Sequence, residues 1–367
     1  MFHGIEDTTK MPSISRYHRQ MLLPSIGTEG QQALAKSTVF VAGCGALGTV
    51  AIDLLSRAGV GTLVIADRDV VEETNLQRQT LFVERDAARA IPKAEAAKTR
   101  VALANSTVKV RAFVEDIAAD TLPELAESCD LLIDGLDNFQ TRYLLNDYAV
   151  REGIPYLYGA AVATTGMSMP VLPIGEPRRG VRWTPEQATP CFRCMFPEPP
   201  PPGQAATCDT AGVLGMVTAA IAGHMATQAI KLLVGAIDSL DRSLLSIDIW
   251  ENETRRLAVP PSAVAGCQCC GERVFTFLDA PDETTHTMLC GRNAVQIRPP
   301  RSTDVDLAAL ATRLASHGTF VIQDGALRGD LVQEEAALIV FPDGRAIISG
   351  STDFSWAQGL YDRFIGQ

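Results

Sequence analysis

The amino-acid sequence predicts an α/β fold in which a doubly wound, mostly parallel sheet is followed by a small α+β domain. Short apolar strands alternate with helices in the first half of the chain, and a GxGxxG motif joins the first strand to its helix. The pattern changes after about residue 280, and 367 residues suffice for one large domain and a small one.

The first domain is predicted to cover residues 1–280, and its elements follow one another at short intervals. A helical segment over 16–36 is interrupted near Gly27. Strands are predicted at 38–42, 62–66, 108–113 and 131–133, and helices at 51–58 and 92–104. Because strand, helix and strand repeat, neighbouring strands are expected to be parallel.

A proline-rich crossover loop at about 188–210 interrupts this regular pattern, since proline removes a backbone donor that helices and central strands need. Loops this long are usually functional or mobile. The following segment, 211–230, carries no charged residue and has about the length of a membrane span. Its glycines, alanines and polar residues favour a buried helix instead, and a strand is predicted after it at 244–249.

The last residues, 281–367, are predicted to form the small α+β domain. The sequence indicates helices at 306–316 and 355–364, and strands at 336–341 and 345–349. The two strands flank Pro342-Asp343-Gly344, a strong hairpin turn. The function of this domain is not indicated by its sequence.

Composition excludes several classes of protein. The net charge of −11 and the pI near 5.0 argue against a nucleic-acid-binding surface. The first residues are acidic and lack the apolar core of a signal peptide, so a cytoplasmic location without a membrane partner is expected. Nine cysteines, an odd number, disfavour a disulfide framework and favour metal or thiol chemistry.

The glycine motif predicts a nucleotide site. Gly43 allows a tight turn, Gly45 lets the backbone approach a phosphate, and Gly48 lets the helix pack on the strand. The start of the helix offers free amides to an anion. Asp67, at the end of the second predicted strand, can accept hydrogen bonds from ribose hydroxyls. The motif alone suits NAD, FAD or ATP.

Charged and polar residues that follow the motif favour a triphosphate. Arg78 and Lys93 can neutralise phosphate oxygens and charge that develops on phosphorus. Asp137 follows another apolar strand, where a carboxylate could hold Mg²⁺ together with phosphates and water. The remaining polar residues of this cluster are Asp69, Asn75 and Gln79.

Two CxxC pairs, Cys191/Cys194 and Cys267/Cys270, predict a tetrahedral zinc site that joins the proline-rich loop to a distant segment. Two unrelated reduced pairs, or a redox dithiol, are the alternative. Cys208 stands alone in the loop before the apolar helix, where a lowered pKa could make it a nucleophile. The alternative is an incidental small residue.

Taken together, these motifs resemble the ThiF/MoeB/HesA family, bacterial relatives of the ubiquitin-activating enzymes. Members adenylate the C-terminal glycine of small ubiquitin-like sulfur carriers. The resemblance runs in the family's order over residues 16–272. The matching segments are RYHRQ, GCGALG, DRDVVEETNLQRQ, IPK, DGLDN, CFRC, CDTAGVLG, IKLLVG and CQCCG. Ala46 replaces a glycine that is common in the loop.

The resemblance implies a Rossmann-like adenylating domain with a structural zinc ion on the four paired cysteines. It implies that Asp67 binds ribose, that Asp137 helps to bind Mg²⁺, and that Asn75, Arg78, Gln79 and Lys93 handle the phosphates of ATP. Arg19 is similar to an arginine that family dimers lend to the partner's ATP site. Cys208 matches a cysteine that some members use for a covalent link to the carrier.

The implied reaction is adenylation of a carrier ending in Gly-Gly, for thiocarboxylate formation in thiamine, molybdopterin or tRNA-thiolation pathways. The implied partners are that carrier, a cysteine desulfurase or another sulfur donor, and a second copy of the chain. Activation of a ubiquitin-like modifier for protein conjugation is an alternative within the same chemistry. An NAD-dependent oxidoreductase and a non-catalytic carrier-binding scaffold are alternatives from other classes.

Overall fold

The computed structural model describes residues 14–175, 180–200, 211–258, 264–279, 285–289, 293–299, 305–323 and 325–365. The chain divides into two compact units, Met1–Asp279 and Ala280–Gln367. Cys208 lies outside the described residues.

One mixed sheet of eight strands forms the centre of the first unit. The strands are β1 (Thr38–Ala42), β2 (Thr62–Ala66), β3 (Lys109–Phe113), β4 (Leu131–Asp134), β5 (Tyr156–Val162), β6 (Thr165–Val171), β7 (Leu244–Asp248) and β8 (Glu253–Leu257). Their order is β3-β2-β1-β4-β5-β6-β7-β8. The first five are parallel, as predicted for the strands before residue 134, whereas β6, β7 and β8 join antiparallel.

Helices cover both faces of this sheet, so the α/β layering expected from the sequence is confirmed. They are α1 (Ile14–Met21), α2 (Gly27–Lys36), α3 (Ala46–Ala58), α4 (Glu84–Ala88), α5 (Lys93–Ala104), α6 (Leu122–Ala126), α7 (Phe139–Glu152), α8 (Phe192–Met195) and α9 (Gly215–Leu233). Side chains of α3, α5 and α9 form the core on one face. Side chains of α6, α7 and α8 form the core on the other face.

Three glycines meet where β1 and β4 end. Gly43 has φ +85°, a left-handed conformation that suits glycine. A Cβ atom on Gly48 would lie 2.1 Å from the carbonyl oxygen of Gly43, and a Cβ on Gly135 would lie 2.4 Å from the same oxygen. No side chain fits at either position. Helix α3 therefore begins at Ala46, directly after the turn and earlier than the sequence indicated.

The uncharged segment forms α9, whose buried side packs against α3, β5 and β6. Small residues allow this close packing: a Cβ on Gly159 of β5 would lie 2.3 Å from the sulfur of Met225, and one on Gly166 of β6 would meet Ile221 at the same distance. Among the described residues, no helix is long and apolar enough to cross a membrane.

His224 is a half-buried titratable residue of α9. The Gln228 side chain is oriented by its oxygen, which accepts from the backbone N–H of Asp241, so its nitrogen donates to Nε2 of His224 at 3.1 Å. Nδ1 of His224 is buried without a hydrogen-bond partner among the described residues. Burial lowers the pKa of His224; Asp241 opposes the shift, whereas Lys231 and Arg256 add to it.

The second unit has a six-stranded antiparallel sheet in the order β11-β12-β13-β14-β10-β9. The strands are β9 (Thr285–Leu289), β10 (Ala294–Arg298), β11 (Gly318–Gln323), β12 (Ala326–Leu331), β13 (Ala336–Val340) and β14 (Ala346–Ser349). The predicted hairpin is confirmed as β13–β14. Helices α10 (Leu307–Leu314) and α11 (Phe354–Phe364) form one core with the sheet, and each begins after an aspartate that caps two backbone amides.

Replacing Gly48 with alanine should destabilise the protein by about 1–3 kcal/mol, because the added methyl group must displace the Gly43 carbonyl. Urea unfolding measures the loss. Gly359→Ala is the matched control: Gly359 lies in α11, where a Cβ meets no atom within 4 Å. Alanine should be neutral or slightly stabilising there. Equal effects of the two substitutions would contradict the close approach.

Protonation of His224 should destabilise the folded state. The folded pKa is lowered, so the unfolded chain binds this proton more readily. The contribution to stability is complete above the unfolded pKa of about 6.5, and it is lost as the pH falls below that value, by at most about 1.4 kcal/mol per pH unit. Urea unfolding at several pH values across this range should show that the free energy of unfolding changes less steeply with pH in His224→Gln than in the wild type. An unchanged slope would show that another group titrates.

Candidate functional site

The carboxyl ends of β1, β2 and β4 form the edge at which the predicted nucleotide residues lie. β1 has β2 on one side and β4 on the other, so the chain direction of the crossovers reverses at β1. Ligands of open α/β sheets bind at such switch points. The glycine loop follows β1, Asp67 follows β2, and Asp137 follows β4.

The glycine loop leaves the start of α3 open. Gly45 is the residue before the helix and has no side chain that could cap it, so it leaves the first backbone amides of α3 uncapped. The loop is held to β2 by the backbone N–H of Gly43, which donates to the carbonyl of Ala66 at 2.8 Å. This arrangement can accept an anion at the helix N-terminus.

Asp67 connects the loop to the end of β2. One carboxylate oxygen accepts from the backbone N–H of Cys44 at 2.6 Å, and the other accepts from the N–H of Asp69 at 2.7 Å. Burial raises the pKa of Asp67, while the nearby Lys93 opposes the rise. Each oxygen keeps a second lone pair, so the fixed carboxylate can still accept from a hydroxyl group.

Lys93 is a buried cation at the first turn of α5. Its Nζ donates to Asp69 Oδ2 at 3.0 Å, and its backbone N–H donates to the Asp69 carbonyl at 2.8 Å. Burial alone would lower the pKa of Lys93, but Asp69 and Asp67 outweigh it and raise the pKa above its ordinary value. The ammonium group is therefore charged at neutral pH.

The segment that contains Asn75 forms a tight turn. The side-chain oxygen of Asn75 accepts from the backbone N–H of Glu72. The backbone carbonyl of Asn75 accepts from the backbone N–H groups of Arg78 and Gln79. Arg78 is partly exposed and donates to the Thr74 carbonyl at 2.9 Å. Gln79 is buried, and its side-chain oxygen has no hydrogen-bond partner among the described residues.

Asp134 and Asp137 have different surroundings. Asp137 is exposed at the end of the strand, followed by Asn138, which caps α7. Asp134 is fully buried; it accepts from Arg142 Nε at 3.0 Å and from the Tyr156 hydroxyl at 2.7 Å. The fixed partners of Asp134 indicate a structural role, which leaves Asp137 as the accessible carboxylate.

Arg68 is a cation of this edge that sequence reasoning missed. Its Nη1 lies 3.1 Å from Asp116 Oδ2. Burial would lower the pKa of Arg68, but Asp116, Asp69 and Asp137 outweigh it. The position of Arg68 between Asp67 and Asp69 was a signal available in the sequence. The ion-pair partner of Arg68, Asp116, lies in the loop after β3 and could not be identified from sequence spacing.

The remaining predicted residues lie elsewhere. Arg19 is exposed on α1.

The chain that leaves the proline-rich loop is anchored beside the nucleotide edge: the N–H of Ala163 donates to the Gly212 carbonyl, and the N–H of Leu214 donates to the Ala163 carbonyl. A Cβ on Gly215 would lie 3.0 Å from the Gln77 carbonyl oxygen, so α9 begins against the Asn75–Gln79 turn.

Four buried or half-buried cysteines converge on the other side of the sheet, and no disulfide joins them. The sulfurs of Cys191, Cys194, Cys267 and Cys270 all lie within 4.8 Å of one another. Three of the separations are 3.6 Å, 3.8 Å and 3.3 Å. Tetrahedral zinc with four thiolates requires about 3.8 Å between sulfurs. The cluster therefore fits a metal ion of this kind.

Comparison with known proteins agrees with this geometry. Residues 17–269 match the ThiF family. The chain is 39% identical over 351 residues to "Sulfur carrier protein ThiS adenylyltransferase" of Bacillus subtilis, covering 96% of this chain and 99% of the relative. It is 38% identical to "Sulfur carrier protein adenylyltransferase" of Thermus thermophilus, covering 71% of this chain and 91% of that protein.

One further relative and one solved structure extend the comparison. "SAMP-activating enzyme E1" of Haloferax volcanii is 38% identical, with 71% of this chain and 89% of that protein covered. A crystal structure of E. coli MccB matches with a TM-score of 0.58 and 22% identity, over 71% of this chain and 76% of that one. At this identity the match to MccB concerns the fold alone. The family match covers most of the chain, and this chain belongs to the ThiF family.

Proposed function

We propose that this protein is an ATP-dependent adenylyltransferase that activates the C-terminal glycine of a small ubiquitin-like sulfur carrier. The observation that carries the proposal is the pairing of an open glycine loop with a buried, charged lysine at one sheet edge. Its similarity to the Bacillus subtilis relative extends over nearly the whole of both chains. Thiocarboxylate formation for thiamine, molybdopterin or tRNA thiolation would follow adenylation.

In the proposed reaction, the carrier's C-terminal carboxylate attacks the α-phosphorus of ATP and pyrophosphate leaves, which yields an acyl-adenylate. The protein's part is positioning and charge neutralisation. Lys93 is suited to this part because its charge is fixed by Asp69 and Asp67. Arg78 is accessible from the same edge, and the side-chain oxygen of Gln79, which has no partner in the part of the chain that the structure describes, can accept from a ligand.

The nucleotide itself would lie along the glycine loop. We assign the phosphates to the turn formed by Gly43, Gly45, Ala46 and Gly48, and the ribose to Asp67. Asn75 supports this assignment by holding the turn that presents Arg78 and Gln79. Asp69 takes part by orienting Lys93.

Two metal ions belong to the proposal. Asp137 would hold Mg²⁺, since it is an accessible carboxylate at the phosphate edge, and the ion would neutralise phosphate charge. Zinc is the proposed ion of the four-cysteine cluster, because closed sites of four thiolates are typical of structural zinc. The catalytic assignment does not depend on the zinc ion.

Three elements of the proposal concern partners. The second substrate is a carrier protein ending in Gly-Gly, and a cysteine desulfurase or another sulfur donor would act after it. A homodimer would bring Arg19 to the partner's ATP site; the exposure of Arg19 on α1 supports this. Cys208 is the candidate for a covalent link to the carrier, since its segment leads into the anchored residues 212–214.

Activation of a ubiquitin-like modifier is the second candidate, favoured by the similarity to the Haloferax volcanii enzyme named for SAMP activation. Adenylation is common to both functions and only the later acceptor differs. An NAD-dependent oxidoreductase would make no use of Lys93 and Arg78 at the phosphate edge. Nicotinamide binding without ATP binding would nevertheless favour it, and carrier binding without adenylation would favour a scaffold.

Replacing Arg78 with alanine, or Asp137 with asparagine, should lower carrier-dependent ATP–pyrophosphate exchange at least about 100-fold, because each removes charge from the reacting phosphates. The first carrier to test is ThiS, which the Bacillus subtilis relative is named for. Arg85→Ala is the matched control, since Arg85 is an exposed arginine of α4. Exchange that survives both substitutions would refute the proposed mechanism.

Removing the metal from the cysteine cluster should lower the melting temperature by about 10 °C, because metal binding contributes directly to folding. Differential scanning fluorimetry with and without a chelator measures the shift. Cys194→Ser should abolish stoichiometric metal, whereas Cys129→Ser, another buried thiol outside the cluster, should retain it. Lost exchange at an unchanged melting temperature would indicate a catalytic rather than a structural ion.

A further inference from the structure

Helix α7 holds both cysteine pairs through two adjacent, fully buried residues. The first is Asn146. Its side-chain oxygen accepts from the backbone N–H of Phe192, inside the first pair, at 2.8 Å. Its side-chain nitrogen donates to the sulfur of Cys269, inside the second pair, at 3.3 Å. One amide group therefore contacts both segments of the cluster.

The second residue is Asp147, which repeats this arrangement one position later. One carboxylate oxygen lies 3.2 Å from Nη1 of Arg193, inside the first pair. The other accepts from the backbone N–H of Phe277, beyond the second pair, at 3.0 Å. Arg193 also reaches the second segment, through Gln268 Oε1 at 3.0 Å and the Val274 carbonyl at 3.2 Å.

These contacts also separate Cys269 from its neighbours. The segment Cys267-Gln268-Cys269-Cys270 offers three thiols, of which only the outer two join the group that could hold a metal. Cys269 is fully buried, and its sulfur accepts from Asn146 and also interacts with Asp147 and Cys191.

We propose that Asn146 and Asp147 form a clamp that fixes the spacing of the two cysteine pairs and directs Cys267 and Cys270, not Cys269, to the metal. The inference rests on the proposed metal at this cluster. Residues around a first ligand shell orient the ligands, and their loss typically lowers metal affinity about 10- to 100-fold. Asn146 and Asp147 are positioning residues in this sense, because neither belongs to the cysteine group itself.

The clamp also orients a cation, Arg193, beside the site, although the ion pair of Arg193 with Asp147 is neutral as a whole. Four thiolates around a divalent ion carry a net negative charge, which is unfavourable in a buried position. Arg193 lies between the two ligands of the first pair in sequence, and Asp147 orients its guanidinium among the segments of the second pair. Asp147 therefore acts on the metal site through Arg193 as well as through the backbone of Phe277.

The test is the zinc affinity of the full-length protein, measured by competition with a chromophoric chelator. Asn146→Ala should weaken zinc binding about 10- to 100-fold at unchanged stoichiometry. Asn146→Asp retains an oxygen that accepts from Phe192 but replaces the donor to Cys269 with a second, negatively charged oxygen, so it should also weaken binding, and it serves if the alanine variant does not fold. Cys269→Ser should keep one zinc per chain, whereas Cys270→Ser should lose it.

Asn105→Ala is the matched control. Asn105 is another fully buried asparagine, which donates to the Tyr17 hydroxyl and the Ser56 carbonyl. It should lower stability without changing zinc affinity. Wild-type affinity in both Asn146 variants, or loss of zinc in Cys269→Ser, would overturn the clamp and leave the metal assignment intact. A wild-type protein that binds no zinc would overturn both, and neither result bears on ATP–pyrophosphate exchange.

Discussion

The close approach of Gly43, Gly48 and Gly135 is the constraint on which the nucleotide edge depends. The carbonyl oxygen of Gly43 occupies the space that a Cβ on either of the other two glycines would need. The loop after β1, the first turn of α3 and the exit from β4 are therefore packed backbone against backbone. Because β2 adjoins β1, the side chain of Asp67, the residue that follows β2, accepts directly from the loop amide of Cys44. Residues from three strands meet at one point as a consequence.

The charges at this edge follow from that packing. Asp67 accepts from backbone amides, and Asp69 forms an ion pair with Lys93. Arg68 forms an ion pair with Asp116. The acids and bases are paired with one another before any nucleotide binds. A triphosphate would bring additional negative charge, so the pairing alone leaves it uncompensated. This deficit is the physical reason for assigning Mg²⁺ to the accessible Asp137 and for giving Arg78, whose guanidinium donates to the backbone carbonyl of Thr74, a part in the proposed reaction.

Local patterns in the sequence identified what depends on local geometry. The glycine motif, the paired cysteines and the early strands were visible because short spacing determines them. Gly135 was missed, since its need for glycine comes from the carbonyl of Gly43, which is distant in sequence. The antiparallel strands β6 and β8 were missed as well. In the case of β8, the strand is exposed throughout and carries no alternation of apolar and polar residues. Tertiary packing, rather than local preference, specifies these features.

Helix α7 lies between the loop of Asp137 and the cysteine cluster and contacts both. The helix begins at Phe139, capped by Asn138, which directly follows Asp137. Its first half is fixed by Arg142, which pairs with the buried Asp134 and also donates to the carbonyls of Leu136 and Gly159. Its second half carries Asn146 and Asp147, which hold the two cysteine segments. The same helix thus follows the loop of Asp137 at one end and holds the cysteine cluster through its middle.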